Sequence, residues 1–417
     1  MAIKSQTKEF DVIVVGGGAS GMMAAGKAGA LGKRVLLLEK NKVLGEKLRI
    51  SGGGRCNITN ATYDIRKFLE NYGENAQFLF SPFSQFSAKD TFTFFESLGL
   101  PLVVQARTRA FPHTEHSPDV ARVLIDQMKK YNVTIHAGEA VKKIQHKDGK
   151  IVSIITKEGE YTAKSYILAT GGVSHPETGS TGDGFNWLAD LGHTVKDPTP
   201  TIVPLATEEE WSHELSGVSL SFMKITFYTD GKKSFSKTGK VLFTHFGLSG
   251  PLILNASSKV GDLLHTGLVT AKIDAYPDTD IGALDKQITK VFDANKNKML
   301  KNILKEIVPE GTMPGICLLL SGIELDTKVH SVSKEDRRKI VDSLKALPIT
   351  VSGLMGYDRA VVADGGIPLS EVDMKTMHSK VIENLFVTGD LLHVNRPSGG
   401  YSLQLCWTTG WVAGSNA

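Results

Sequence analysis

Asp11-Val-Ile-Val-Val-Gly-Gly-Gly-Ala-Ser-Gly21 is followed eighteen residues later by Glu39, which closes the run Arg34-Val-Leu-Leu-Leu-Glu39. The β-branched residues 12–15 read as a short buried strand. Gly16, Gly18 and Gly21 then stand at G-x-G-x-x-G spacing, which with a flanking strand and helix marks a dinucleotide-binding βαβ unit. Each glycine has its own steric task. Gly16 permits the tight turn, Gly18 lets the backbone approach a pyrophosphate, and Gly21, with Ala25 one turn on, lets the helix lie close to the sheet. Ala19 and Ser20 open that helix, whose free N–H groups and partial positive charge face the phosphates. A carboxylate at Glu39 can accept hydrogen bonds from the adenosine ribose and would repel a 2′-phosphate, which favours FAD or NAD over NADP. A glycine-rich turn that binds nothing is the competing reading, and the correctly spaced acid argues against it.

Outward from this unit, 417 residues allow two or three domains, and 41% hydrophobic residues suffice for ordinary cores. The net charge of +4 is small and no basic run tracks a phosphate backbone, so no nucleic-acid partner is expected. No stretch reaches the ~18 uninterrupted apolar residues of a membrane span, and Met1-Ala-Ile-Lys-Ser-Gln-Thr-Lys-Glu9 lacks the apolar centre of a signal peptide. The expectation is therefore a cytoplasmic protein away from membranes, acting on a small molecule. Cys56, Cys317 and Cys406 form no C-x-x-C pair, which disfavours a disulfide relay. His113 and His116 stand as H-x-x-H without a carboxylate pattern, and no metal site is expected.

The rest of the chain decides between NAD and FAD. Residues 134–143 and 150–156 read as strands with a turn at Asp148-Gly149, and Tyr166-Ile-Leu-Ala-Thr170 is an apolar strand ending at Gly171 and Gly172. Leu385-Phe-Val-Thr-Gly-Asp390 repeats that pattern, so two distant pieces complete one sheet. A long FAD stretched across the strand ends uses such a sheet. The fingerprint occurs once, so NADH or NADPH would have to visit transiently, without a Rossmann domain of its own. Residues 45–60 read as a glycine-rich loop, too polar for a stable helix, whose backbone donors suit an anion or a flavin edge. Residues 395–414 read as a glycine turn feeding a tightly packed helix, with N–H groups at 400–403 aimed at an acceptor.

The pieces Leu48-Arg-Ile-Ser-Gly-Gly-Gly-Arg-Cys-Asn-Ile-Thr-Asn60, Ala169-Thr-Gly-Gly-Val-Ser-His-Pro-Glu-Thr-Gly-Ser-Thr-Gly-Asp-Gly184, Leu242-Phe-Thr-His-Phe-Gly-Leu-Ser-Gly-Pro251 and Gly399-Gly-Tyr-Ser-Leu-Gln404 are specific. On them the chain resembles the bacterial two-domain FAD-dependent oxidoreductases that include aminoacetone oxidase and the 3-dehydro-bile-acid reductases. The resemblance implies an α/β fold: a Rossmann-type FAD-binding domain with an inserted β-barrel substrate domain carrying a small helical subdomain. Its implied segments are 1–195, 196–350 with helices at about 283–347, and 351–417, the return falling near 348–356. Local pattern agrees: strands at 221–229 and 268–273, a turn at Asp230-Gly231, and helical spacing at 283–307 and 334–347.

Carried over position by position, the resemblance puts the pyrophosphate at Gly16, Gly18, Ala19, Ser20 and Gly21, the ribose at Glu39, and adenine near Val141. Flavin and ribityl contacts fall at Ser51, Gly52, Gly53, Gly54, Asn57, Gly389, Asp390, Gly399, Gly400, Tyr401, Ser402 and Leu403. Lys40, Lys47, Thr170, Gly171 and Gly172 complete the implied cofactor set. After Gly389-Asp390 many relatives carry an acidic, glycine-containing segment, whereas this chain has Leu391-Leu-His-Val-Asn-Arg-Pro-Ser398, so His393 and Arg396 change the charge there.

Hydride transfer at a flavin needs no protein nucleophile, only positioning, electrostatics and a proton donor. The candidates are His175, His245, His393, Arg396 and Tyr401, each near a glycine-rich segment. These features point to an oxidoreductase, read first as an NAD(P)H-linked ene reductase and alternatively as an oxygen-dependent amine oxidase. A reading of another class is an FAD-binding regulatory or tRNA-modification-associated protein, against which the lack of a basic, aromatic-interleaved patch argues.

Overall fold

A computed structural model describes residues 8–417, in two compact units: the residues up to Thr199 together with Val361–Ala417, and Pro200–Ala360. In the first unit, β1 (Lys8–Val15) pairs in parallel with β2 (Val35–Glu39) on one side and with Glu160–Leu168 on the other. Thr134–Ala137 extends the parallel sheet beyond β2, and Leu385–Val387 extends it beyond Glu160–Leu168. The parallel strands thus come from segments far apart in sequence. Residues 12–15 and 35–38 are almost wholly buried, as expected of parallel strands covered on both faces.

The expected strand at 134–143 is interrupted. Gly138, with φ of 80°, ends Thr134–Ala137, and the chain turns into a hairpin of Val141–Lys147 and Lys150–Thr156, whose second strand pairs antiparallel with the start of Glu160–Leu168. Its turn residues Asp148 and Gly149 both have positive φ, 50° and 73°, the conformation that matches strand twist.

Two helices cover the sheet where the fingerprint lies. α1 (Ala19–Ala30) is buried around most of its circumference, and the C-terminal helix Tyr401–Asn416 packs along it. Contact is at backbone range: a Cβ on Gly410 would strike the Ser20 carbonyl, and one on Gly414 the Ala24 carbonyl. The segment at 45–60 differs from the loop reading, because α2 (Glu46–Ile50) forms a short helix before the 3₁₀ turn Ser51–Gly54. Leu48 anchors α2 in the core at 3% exposure, which supplies the stability that composition alone does not suggest.

In the second unit, the strands Leu205–Thr207, Gly247–Ser249, Lys232–Thr244, Ser219–Thr229, Val269–Asp274 and Leu347–Leu354 pair antiparallel in that order. The last pairs back with the first, closing a barrel. Ile225, Phe227, Val241, Phe243 and Leu248 fill its interior. Helices Ile281–Ala294, Leu300–Ile307, Met313–Leu319 and Lys334–Lys345 follow, so the run at 283–307 is two helices parted at Asn295 rather than one. Residues 348–356, where the chain was expected to return, lie largely within the barrel strand Leu347–Leu354, and the unit ends at Ala360. Among the described residues, no helix is long and apolar enough to cross a membrane.

Candidate functional site

Every strand of the parallel sheet that flanks β1 ends at one elongated cleft. Its walls come from the fingerprint turn, the end of β2, α2, residues 139–141, the loop at 169–171 and 178–183, and Asp390, Ser402, Leu403 and Cys406. All belong to the first unit.

The three glycines divide the labour. A Cβ at Gly16 would strike the Ala169 carbonyl and one at Gly21 the Gly16 carbonyl, so both serve backbone packing. At Gly18 an added Cβ meets no protein atom within 4 Å; the space in front of it belongs to the cleft. The Glu39 carboxylate is fixed before any ligand arrives, with Oε2 accepting from the Gly17 N–H at 2.6 Å and Oε1 from the Asn41 N–H at 2.7 Å. Each oxygen retains a lone pair for a ribose hydroxyl. Thr170 Oγ1 is buried on the cleft wall and has no protein partner among the described residues, although such groups are nearly always satisfied. An open glycine face and a pre-set carboxylate together fit an adenine dinucleotide.

Around the middle of the cleft the loop at 178–183 is tied to the β2 end. Lys40 Nζ bonds Thr181 and lies 2.8 Å from Asp183 Oδ2, and Asn41 Nδ2 donates to the Thr178 carbonyl at 2.8 Å. Burial would raise the Asp183 pKa, but Lys40 and Thr181 outweigh it and hold it below the usual range. Beside Val141, Glu139 is 6% exposed and accepts from Thr156 and Tyr161 hydroxyls at 2.5 and 2.9 Å, with His136 Nδ1 at 2.8 Å. Burial again pushes the carboxyl up, and these partners more than reverse it.

The end of the cleft formed by α2 and residue 390 carries charge. Lys47 bonds Ser174 Oγ and stands 3.6 Å from Asp390 Oδ2. Arg396, its side chain 1% exposed, binds Asp390 Oδ1, and donates to Ser402 Oγ at 3.2 Å and the Val394 carbonyl at 2.7 Å. Burial opposes the Asp390 charge, yet Arg396 and Lys47 hold its pKa below the usual range. The neighbouring Cys406 thiol is pushed up to about 12, chiefly by burial and then by Asp390.

Of the implied cofactor residues, Gly16, Gly18, Ala19, Ser20, Glu39, Lys40, Lys47, Ser51, Val141, Thr170, Gly171, Asp390, Ser402 and Leu403 line the cleft. Gly21, Gly52, Gly53, Gly54, Asn57, Gly172, Gly389, Gly399, Gly400 and Tyr401 do not. The Gly400 N–H is directed at the Asn57 side-chain oxygen, 3.0 Å away in the amide orientation that satisfies the network, rather than at the cleft. Gly389 donates to Thr409 Oγ1 at 3.0 Å. Sequence reasoning did not single out Asn41, Glu139 or Cys406 as cofactor contacts; residues 178–183 were signalled only by the quoted motif at 169–184.

The catalytic candidates are scattered. His175, at φ of 53°, pairs with Glu177 Oε1 at 2.8 Å. His393 Nε2 lies 3.2 Å from Asp364 Oδ1 and 3.1 Å from Lys196 Nζ. Asp364 follows by two residues Val362, which lines the cleft, on the strand Val362–Gly366. The Tyr401 ring packs on Phe68 with centroids 4.9 Å apart, and burial raises its phenol pKa. Arg396 is buried as described, and His245 lies in the second unit, its ring edge-on to Phe246.

Over 408 residues the chain is 28% identical to a 3-dehydro-bile acid delta(4,6)-reductase of Clostridium scindens, covering 97% of this chain and 98% of the relative. It is 26% identical over 407 residues to a ribosomal RNA dihydrouridine synthase of Escherichia coli, covering 97% of each. The fold is similar to that of a flavocytochrome c3 fumarate reductase, with TM-score 0.56 at 17% identity over 100% of this chain and 79% of the other. It is also similar to a 3-ketosteroid-delta4-(5alpha)-dehydrogenase of Rhodococcus jostii RHA1, with TM-score 0.54 at 14% identity over 100% and 98%. The profile described as HI0933-like protein Rossmann domain matches residues 10–416, and the chain belongs to that family, as an oxidoreductase of the FAD-dependent kind.

Proposed function

We propose that this protein is an FAD-dependent ene reductase: it adds two hydrogens across a carbon–carbon double bond conjugated to a carbonyl, using NADH or NADPH as a transient electron donor. The observation that carries the reading is the full-length likeness to two relatives whose names describe that one bond change on different scaffolds. A 3-oxo group with unsaturation at positions 4 and 6 is a conjugated ketone, and making dihydrouridine saturates the double bond next to a uracil carbonyl. Bound FAD would supply the hydride exchange. The chain's residues hold and tune it: Gly18 leaves room for pyrophosphate, Glu39 takes the ribose, and Asp390 with Lys47 sets the charge at the far end.

Anaerobic mixing with NADH and then NADPH tests the reading: one should bleach the flavin bands, and a conjugated enone should restore them. If neither nucleotide reduces the flavin while air and an amine do drive turnover, the oxidase alternative stands instead. The likeness to ribosomal RNA dihydrouridine synthases of two bacteria favours a second reading, in which the conjugated bond lies in an RNA pyrimidine. Dihydrouridine formed in rRNA by the reduced protein, detected by mass spectrometry, would select it over a free small molecule.

A further inference from the structure

Lys47 and Arg396 bring two positive charges to one carboxylate, Asp390, at the end of the cleft away from Glu39. Asp390, Arg396 and Lys47 are also the charged groups around the buried Cys406 thiol beside them. The acids elsewhere in the cleft are engaged at other points: Glu39 with two backbone N–H groups, Asp183 with Lys40, and Glu139 with Thr156, Tyr161 and His136. A further acid, Glu177, also acts on Lys47, but it is 58% exposed and paired with His175, so within the cleft wall two cations face the single carboxylate of Asp390, and the Arg396 charge, its side chain 1% exposed, is the one weakly screened. Arg396 makes that charge permanent, since a guanidinium does not deprotonate in proteins.

We infer that the Lys47–Asp390–Arg396 cluster raises the reduction potential of the bound flavin by stabilising the negative charge it gains on reduction. Arg396 acts here as an electrostatic positioning residue behind Asp390, touching Ser402 and Asp390 on the cleft wall. This rests on the FAD reading above. Asp390 moderates the field, so removing its charge and removing an Arg396 charge must act in opposite directions.

The test is the midpoint potential of wild-type, R396Q, R396K, K47Q and D390N holoproteins by spectroelectrochemistry, with sulfite affinity as a second readout that needs no turnover. R396Q should bind reduced relative to oxidised flavin about tenfold less tightly, a midpoint ~30 mV lower. K47Q should move the same way, R396K should stay near wild type, and D390N should move up; sulfite affinity should follow the same order. Shifts of one sign for R396Q and D390N, or none in either, overturn the inference. If R396Q cannot retain flavin, the opposed signs of K47Q and D390N decide it. Wild-type protein that takes up no FAD would refute the cofactor reading itself, a different failure.

Discussion

A Cβ added at Gly18 meets no protein atom, whereas one at Gly16 or Gly21 lands on backbone oxygen. Gly18→Val should therefore fold with nearly unchanged melting temperature yet emerge colourless, and a yellow variant of normal affinity would remove the pyrophosphate from this turn. At Glu39 the ligand's bonds add to two backbone N–H bonds already made. Glu39→Ala should lose charge-assisted bonds worth roughly 1.5–3 kcal/mol, about ten- to a hundredfold in FAD affinity by equilibrium titration. Asp390 has its folded pKa held below the free value of 3.8, so it contributes stability above that value, which is lost as pH falls through the folded pKa. Asp390→Asn should be less stable at neutral pH and show a shallower fall in urea midpoint on acidification. An unchanged acid limb would contradict the assignment. The fingerprint glycines and Glu39 were legible in the sequence because their spacing is local. Pairs such as Lys40 with Asp183, or Glu139 with Tyr161, were not, since only the closed sheet brings them together.

Among elements, the contact between α1 and Tyr401–Asn416 tolerates no side chain at Gly414, where a Cβ would strike the Ala24 carbonyl. Gly414→Ala gains helix propensity worth ~1 kcal/mol but forces the helices apart, so a net loss of about 1–2 kcal/mol in urea unfolding is expected. A stabilised variant would mean that the helices can separate freely. Strands β1, Glu160–Leu168 and Leu385–Val387 were readable from short apolar runs ending in small residues, and β2 from an apolar run ending in an acid. α2 was not, because five polar-rich residues owe their helix to Leu48 entering the core rather than to propensity. The run at 283–307 showed helical spacing throughout, but spacing does not report the break at Asn295.

For the whole molecule, the two units have separate hydrophobic cores, one around the parallel sheet and one shared by the barrel and its helices. Calorimetry should resolve two transitions, and FAD at a hundred times its Kd should stabilise only the one belonging to the first unit, by ~2.7 kcal/mol. A shift of both together would show that the units unfold as one. The architecture was legible because the strand pattern near residue 385 matches that near residue 166, whereas the apolar run Leu347–Leu354, a barrel strand, carries no local sign of which sheet it joins. The first unit's sheet and its cleft both need residues from each side of the barrel segment. During translation, β1 and the fingerprint leave the ribosome long before Leu385–Val387 and Tyr401–Asn416, so a nascent chain must keep an unfinished sheet edge and an uncovered α1 out of trouble. Cofactor loading is then a late event in biogenesis, and a ribosome stalled within the barrel would hold an intact fingerprint unable to retain its dinucleotide.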